Sequence, residues 1–487
     1  MSSIEEIRKI RIEKLKILKD AGINPYPAIS RRDFSLKEVM EKYDSLLLNK
    51  DIHIAGRVMS LREQGALIFL NIYDGTAKFQ GLIKKDEIGE KEFTFFQKVI
   101  DIGDFIEIGG SLFTTKRGEK TLEILSWKML SKSLRPLPEK WHGLQDEEEK
   151  FRKRYLDILF NPEVKGMIEK KTKFWSSIRN FLIEKDFMEV ETPVLESVPG
   201  GAEAKPFITH HNALNLDVYL RISPELWLKR LMIAGFTKVF EIGRIFRNEG
   251  MDSEHLQDYT HMEFYWAYTD YNQGMEIIKE LYRYVAKETF GTTKFSIKGF
   301  DVDFEKEWEV YDYVETIKKI TDIDVTSAKL EEIETKLRDL KVEYDSKEGF
   351  NLTRAIDSLW KYCRKQIGGP GFLINVPVMM EPLAKRMEKN NNLVERFQVI
   401  LAGSEMGKGF SELNDPLDQM ERFIDQAKLR EEGDEEAQMT DGEFVEAMEY
   451  GMPPTCGFGV SERLFSFLVD KPIKECQIFP LLRPPKN

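Results

Sequence analysis

Two stretches near the middle of the chain, KVFEIGRIFRNEG (238–250) and THMEFYWAYTD (260–270), alternate apolar and polar side chains with a period of two. An extended strand puts residues two apart on the same face, so this period predicts strands with one apolar and one polar side. Phe240, Ile242 and Phe246, and likewise Met262, Phe264 and Trp266, fall on one side as core. Arg247 with Glu249, and Glu263 with Tyr265, fall on the other; Lys408, Phe410 and Glu412 repeat the pattern in KGFSEL. Parallel strands buried on both faces read as continuous apolar runs, so the alternation points to an antiparallel sheet in an α+β fold. The polar face of such a sheet either meets solvent or floors a binding site, and for any single pair a solvated face is the ordinary explanation.

With 487 residues, 41% hydrophobic and 32% charged, the chain can build two or more cores and is too apolar for disorder. The first residues lack the apolar segment of a signal peptide, and no apolar run approaches the roughly 18 to 20 residues of a membrane helix. A cytoplasmic protein is expected. Cys363, Cys456 and Cys476 show no paired spacing, so neither a disulfide framework nor a zinc site is indicated, and six histidines do not suggest a histidine metal site. The net charge of -12 argues against indiscriminate nucleic-acid binding but leaves room for a local basic patch. One candidate patch is the amphipathic segment EEIRKIRIEKLKILKDAG, which carries Arg8, Lys9, Arg11, Lys14, Lys16 and Lys19; on these residues alone a solvated helix face is the simpler reading.

Residues 51–130 read as five short strands and one helix, EKEFTFFQKVID, a pattern that suggests a small oligonucleotide-binding (OB) barrel. Phe69 and Gln80 could stack on or bond unpaired bases there, or be ordinary strand residues. SLRPLPEKWHG then breaks regular structure with two prolines. Boundaries are placed at 1–30 for the basic helix, 31–135 for the barrel, 136–155 for a linker and 156–487 for the α+β domain. In that last domain Ser223 is a plausible helix cap, with Pro224 in the first turn and Glu225 near the helix start. Gly200 and Gly201 sit in a loop where glycine permits close approach of a ligand. The glycines of GFGVSER before a helical run are a weak phosphate signal, without the Gly-Lys-Ser/Thr of a P-loop.

Taken in order, LKDAGINPYP, SLRPLPEKWHGLQDEEEKFRKRYLD, PGGAEAKPFITHHNALNLDVYLRISPELWLKRL, FEIGRIFRNEG and FSELNDPLDQMERF resemble the class II aminoacyl-tRNA synthetases, and within them the bacterial-type lysyl-tRNA synthetases. The resemblance spans nearly the whole chain. It implies an N-terminal OB-fold anticodon-binding barrel followed by an antiparallel class II catalytic domain, activating lysine with ATP and transferring it to the 3′-terminal adenosine of tRNA(Lys). By the same resemblance Arg247 holds the α-phosphate and the amino-acid carboxylate, Glu249, His255 and Tyr259 belong to the ATP site, and Arg463 lies at the nucleotide's far side. Glu405 and Glu412 are the implied carboxylates for Mg2+. The implied lysine pocket comprises Gly201, Glu225, Glu263, Tyr265, Phe410 and Glu412, which suits an ammonium because carboxylates and aromatic faces attract one. Arg57, Phe69 and Gln80 are the implied anticodon readers, the basic N-terminal helix is an implied tRNA contact, and the segment around Pro193 resembles one that forms a homodimer.

Three residues depart from the pattern. The family usually has glutamate at Gln398, asparagine at Lys408 and arginine at Glu254, and GFGVSER is about one residue short. These departures cluster around ATP, so an altered metal arrangement is expected rather than an altered amino-acid choice. Two other readings follow from the same residues: a lysine-activating paralogue with a non-tRNA acceptor, and a catalytically impaired RNA-binding paralogue.

Overall fold

The computed structural model describes residues 3–138, 146–250, 252–344 and 350–484, and the chain divides into two compact units at Phe160/Asn161. Of the expected linker, 139–145 lie outside the described residues, while helices form over Glu147–Arg152 and Arg154–Phe160.

In the first unit, helix α1 (Ile4–Asp20) opens with a capping box in which Ser3 and Glu6 satisfy each other's backbone N–H groups. Five strands follow: β1 (Ile52–Gln64), β2 (Leu67–Tyr73), β3 (Lys78–Lys84), β4 (Phe105–Thr114) and β5 (Lys120–Ser131), with helix α2 (Glu90–Val99) between β3 and β4. They close into a barrel in the order β1-β2-β3-β5-β4, as the strand count predicted. Alternate residues of β2 point inward, so Ile68, Leu70 and Ile72 are buried while Phe69, Asn71 and Tyr73 are half-exposed. Two of the six basic residues of α1 are held within the unit: Arg11 donates to Ser133 Oγ and the Arg135 carbonyl, and Lys14 pairs with Asp101 at 2.8 Å.

The second unit is built on an eight-stranded sheet. Its strands are β6 (Met188–Glu189), β7 (Lys238–Phe246), β8 (Asp258–Ala267), β9 (Glu309–Asp312), β10 (Gly371–Ile374), β11 (Arg396–Leu401), β12 (Ser404–Ser411) and β13 (Thr455–Ser461). The order across the sheet is β9-β10-β11-β12-β13-β8-β7-β6, antiparallel through the six central strands with one parallel pair at each end. Phe240, Met262, Phe264, Phe397 and Phe458 on one face pack against helices α3 (Pro162–Glu184) and α4 (Tyr271–Phe290), burying Phe174, Ile178, Ile278 and Leu281. Each such side chain contributes about 1.5–3 kcal/mol by leaving water. The apolar side inferred from the period of two is therefore the helix-covered core, and the other side is free to build a site.

Two local expectations change. FQVILAGSEMGKGFSEL is a hairpin rather than one extended stretch: Ala402 and Gly403 both have positive φ and join Leu401 to Ser404 across a two-residue turn. Strand β7 ends at Phe246, so Arg247 and Glu249 lie just beyond it; their shared direction is set by the following loop, where the Arg247 N–H donates to the Gln257 carbonyl at 2.7 Å.

Candidate active site

The uncovered face of the sheet carries a cavity of about 380 Å³. All of the expected catalytic-domain residues line it: Gly201, Glu225, Arg247, Glu249, His255, Tyr259, Glu263, Tyr265, Glu405, Phe410, Glu412 and Arg463. The three departures, Glu254, Gln398 and Lys408, line it too. Residues separated by more than two hundred positions meet because β8, β12 and β13 are neighbours in the sheet.

One end of the cavity is acidic. Glu263 accepts from Ser223 Oγ at 2.6 Å and from the Tyr265 hydroxyl at 3.1 Å, and His261 Nε2 lies 3.3 Å away. Burial alone would raise its pKa, but His261, Ser223 and Tyr265 outweigh that and keep the carboxyl below its usual value. Ser223 does not cap the next helix in the expected way: helix α5 (Glu225–Ile233) starts after Pro224, and Ser223 Oγ instead takes the Glu225 N–H while donating to Glu263. Glu225 and Glu412 are buried, and both pair with the ammonium of Lys229, which is 2.7 Å from Glu225 and has no exposed surface. Burial, with the neighbouring carboxylates adding to it, pushes Glu225 up to about 7 and Glu412 well above the carboxylate range despite that lysine. Three carboxylates around one resident ammonium leave this end short of positive charge. The Phe410 ring faces the same cluster, 5.4 Å from the Lys229 ammonium.

Glycines make the convergence sterically feasible. A Cβ on Gly457 would lie 2.1 Å from Glu412 Oε1 and 2.6 Å from the Tyr265 ring, and one on Gly459 would lie 2.8 Å from His261 Nε2. The glycines of GFGVSER thus serve the acidic end, which the phosphate reading of that segment missed. Gly201, with φ +85°, brings its backbone against Glu225, where a Cβ would be 2.6 Å from that residue's own Cβ.

The other end is cationic. Arg247 lies 5.8 Å from the Tyr259 ring centroid, and its buried Nε has no partner among the described residues. Arg463 is the first residue of helix α6 (Arg463–Leu468) and donates to the Glu405 carbonyl at 3.3 Å. Glu405 accepts from Trp360 Nε1 at 2.6 Å; burial would raise its pKa, but Arg364 and Arg396 with that hydrogen bond hold it below the usual value, so it is ionised. Half-buried Glu249 is raised by desolvation against the pull of Arg247. His255, on the exposed loop, faces Asp252 at 2.7 Å.

Each departure has a partner. Glu254 pairs with both Arg463 and Lys298, so a carboxylate sits on the guanidinium expected to face the nucleotide. Gln398 accepts from Arg396 at 2.6 Å. Lys408 pairs with Glu381 at 3.0 Å, and Glu381 also pairs with Arg396 at 3.2 Å, so the extra lysine is matched by a buried carboxylate. Glu381, Arg396, Glu203 and Trp360 all line the cavity and were missed. For Arg396 a signal existed: it stands two residues before Gln398 on one strand and shares its face. Glu381 lies in the irregular VMMEPLAKR, where no period shows direction.

On the barrel, Arg57, Phe69 and Gln80 share the outer face. Asn71 is paired with Gln80 and Tyr73 with Arg57 across adjacent strands, and Phe69 is two residues from Asn71. Arg57 stacks on Phe105 with 4.3 Å to the ring centroid, and Gln80 donates to Thr121 at 2.8 Å.

An antiparallel sheet with an anion-binding end and an acidic end, behind a five-stranded barrel, defines a class II tRNA synthetase. The sequence profile of the "tRNA synthetases class II (D, K and N)" matches residues 146–483, and that of the "OB-fold nucleic acid binding domain" matches residues 52–130. The lysine--tRNA ligase of Thermotoga maritima is 43% identical over 490 residues, covering 99% of this chain and 97% of its own length. That of Thermoanaerobacter pseudethanolicus is 43% identical over 486 residues, and that of Carboxydothermus hydrogenoformans 40% over 484, each covering 99% of this chain and respectively 97% and 99% of their own. The chain belongs to the lysine--tRNA ligase family of the class II tRNA synthetases.

Proposed function

We propose that this chain activates lysine with ATP and transfers it to the terminal adenosine of tRNA(Lys). The observation that carries this reading is the convergence of Glu225, Glu263 and Glu412 with Tyr265 and Phe410 on one end of a cavity whose other end holds Arg247 and Arg463. Lysine fits this polarity: its ammonium groups go to the carboxylates and its α-carboxylate to Arg247. An oxygen of that carboxylate attacks the α-phosphorus, the bond to the β-phosphate oxygen breaks, and pyrophosphate leaves. Two anions must meet, so Arg247 offsets their repulsion and positions them, while Arg463 holds the phosphates. Tyr259, over Arg247, and Glu249 serve the adenine side, with His255 at the loop edge. In the second step the 3′-terminal hydroxyl attacks the lysyl carbonyl and AMP leaves; no protein nucleophile is required.

Magnesium, when bound, neutralises phosphate charge and steadies the leaving pyrophosphate. Such an ion takes one or two carboxylates and completes its shell with phosphates and water. Ionised Glu405 fits that role; Glu412, whose charge is shared with Lys229, fits an ammonium better. Among the described residues no group of three or more His, Cys, Asp or Glu is arranged to hold a metal, which accords with an ion bound mainly through the nucleotide.

The barrel face with Arg57, Phe69 and Gln80 supports tRNA over another acceptor, and Arg8, Lys9, Lys16 and Lys19 on α1 supply charge for its backbone. A homodimer is supported by the apolar side chains Val194, Leu195 and Ile208, exposed beside Pro193. No described helix is long and apolar enough to cross a membrane, in accord with a cytoplasmic enzyme. The test is lysine transfer to transcripts carrying lysine or other anticodons, alongside light scattering for the dimer. Charging only of lysine-anticodon transcripts, lost in F69A, supports the reading; lysine-dependent AMP release with no charging of any transcript would refute the tRNA acceptor.

A further inference from the structure

Burying an ammonium is costly unless fixed partners surround it, and Lys229 is the clearest instance in the second unit. It lies one helical turn after Glu225, with no exposed surface, and touches Glu225 and Glu412. Glu225, Phe410 and Glu412 line the cavity whereas Lys229 stays behind them, so its charge reaches the ligand only through its partners. Glu225 Oε1 and Glu412 Oε2 are the oxygens that meet Lys229; Glu412 Oε1 points to the other side, where Gly457 leaves it room. One carboxylate comes from a helix start and the other from just past the end of β12, and no direct bond joins those two backbones. The shared ammonium is what holds their separation.

On the lysine reading above, in which Glu225 serves the α-amino end and Glu412 the side-chain end, that separation is the length of the substrate. We propose that Lys229 is a positioning residue that fixes the distance between Glu225 and Glu412, and thereby the side-chain length the enzyme accepts. Without the tie, Glu412 is free to follow a shorter or longer diamine.

The test is ATP–pyrophosphate exchange by the full chain with lysine, ornithine and homolysine, which differ by one methylene each, for the wild type, K229M and K229R. A methylene in a fixed pocket discriminates by roughly 10- to 200-fold, so the wild type is expected to reject both analogues by about that factor. K229M, checked for folding by circular dichroism, is expected to raise the lysine KM, leave the ATP KM unchanged and shrink the lysine-to-ornithine ratio by about tenfold. K229R, which keeps the cation, is expected to recover part of the ratio. A folded K229M that is slower but keeps the wild-type ratio would make Lys229 merely structural and overturn the proposal. Should K229M not fold, the wild type decides alone: ornithine or homolysine used within about threefold of lysine would show that no length is fixed. A wild type with no lysine-dependent exchange would instead overturn the lysine reading.

Discussion

Replacing Glu412 by glutamine separates the amino-acid end of the cavity from the nucleotide end. The side chain is 1% exposed, its nearest charge is Lys229, and Phe410 and Tyr265 close the space around it. Glutamine keeps the shape and one acceptor oxygen but removes the charge that a substrate ammonium would meet. Losing one partner of a buried charge pair costs about 2–5 kcal/mol, and the retained oxygen puts the expected loss in the lower half, about 2–3.5 kcal/mol. At 1.4 kcal/mol per tenfold, the lysine KM rises by about 30- to 400-fold. Lys229 keeps Glu225 at 2.7 Å, so its charge remains partnered and the fold is expected to persist. The assay is pyrophosphate exchange with lysine varied at saturating ATP and then ATP varied at saturating lysine. Because Arg247, Arg463 and Glu405 are untouched, the ATP KM should move by less than about threefold, a change worth well under 1 kcal/mol. A lysine KM unchanged in a folded variant, or equal rises in both constants, would refute the assignment of this end to the ammonium.

Three further outcomes are expected. E254Q removes the carboxylate from Arg463, and since a partly exposed ion pair is worth about 0.2–1 kcal/mol, the ATP KM should fall by up to about fivefold; a rise would show that Glu254 aids nucleotide binding. G457A drives a methyl toward Glu412 Oε1, 2.1 Å away, and should raise the lysine KM selectively; a lysine KM equal to the wild type's would contradict the packing. Glu225 titrates at about 7, its charged form disfavoured chiefly by burial, so it is protonated and a poor ammonium partner below that pH. The lysine KM should therefore rise as pH falls from 8 to 6, by at most about tenfold per unit, and the dependence should vanish in E225Q; a KM flat over that range would refute it.

The sheet was legible because its two faces meet different surroundings: α3 and α4 cover the side of Phe240 and Phe264, and the cavity lies over that of Glu263 and Tyr265. The barrel was legible from its turns. What pattern could not give was pairing across the chain. Lys229 reads as one more cation on an amphipathic helix, and only the packing of Glu412 against that helix makes it a bridge. Lys408, read as an isolated charge that could repel lysine, is paired with Glu381 from an irregular segment. Arg247 and Glu249 do share a cavity, but the loop after β7 puts them there rather than the strand period.

The central claim is that an acidic, aromatic pocket selects an ammonium-bearing amino acid beside an ATP site. Pyrophosphate exchange by the purified chain with each of the twenty amino acids, over a magnesium titration, tests it most directly. The account predicts magnesium-dependent exchange with lysine alone. Exchange with none of them, or with aspartate, whose carboxylate would meet Glu225, Glu263 and Glu412, would contradict it.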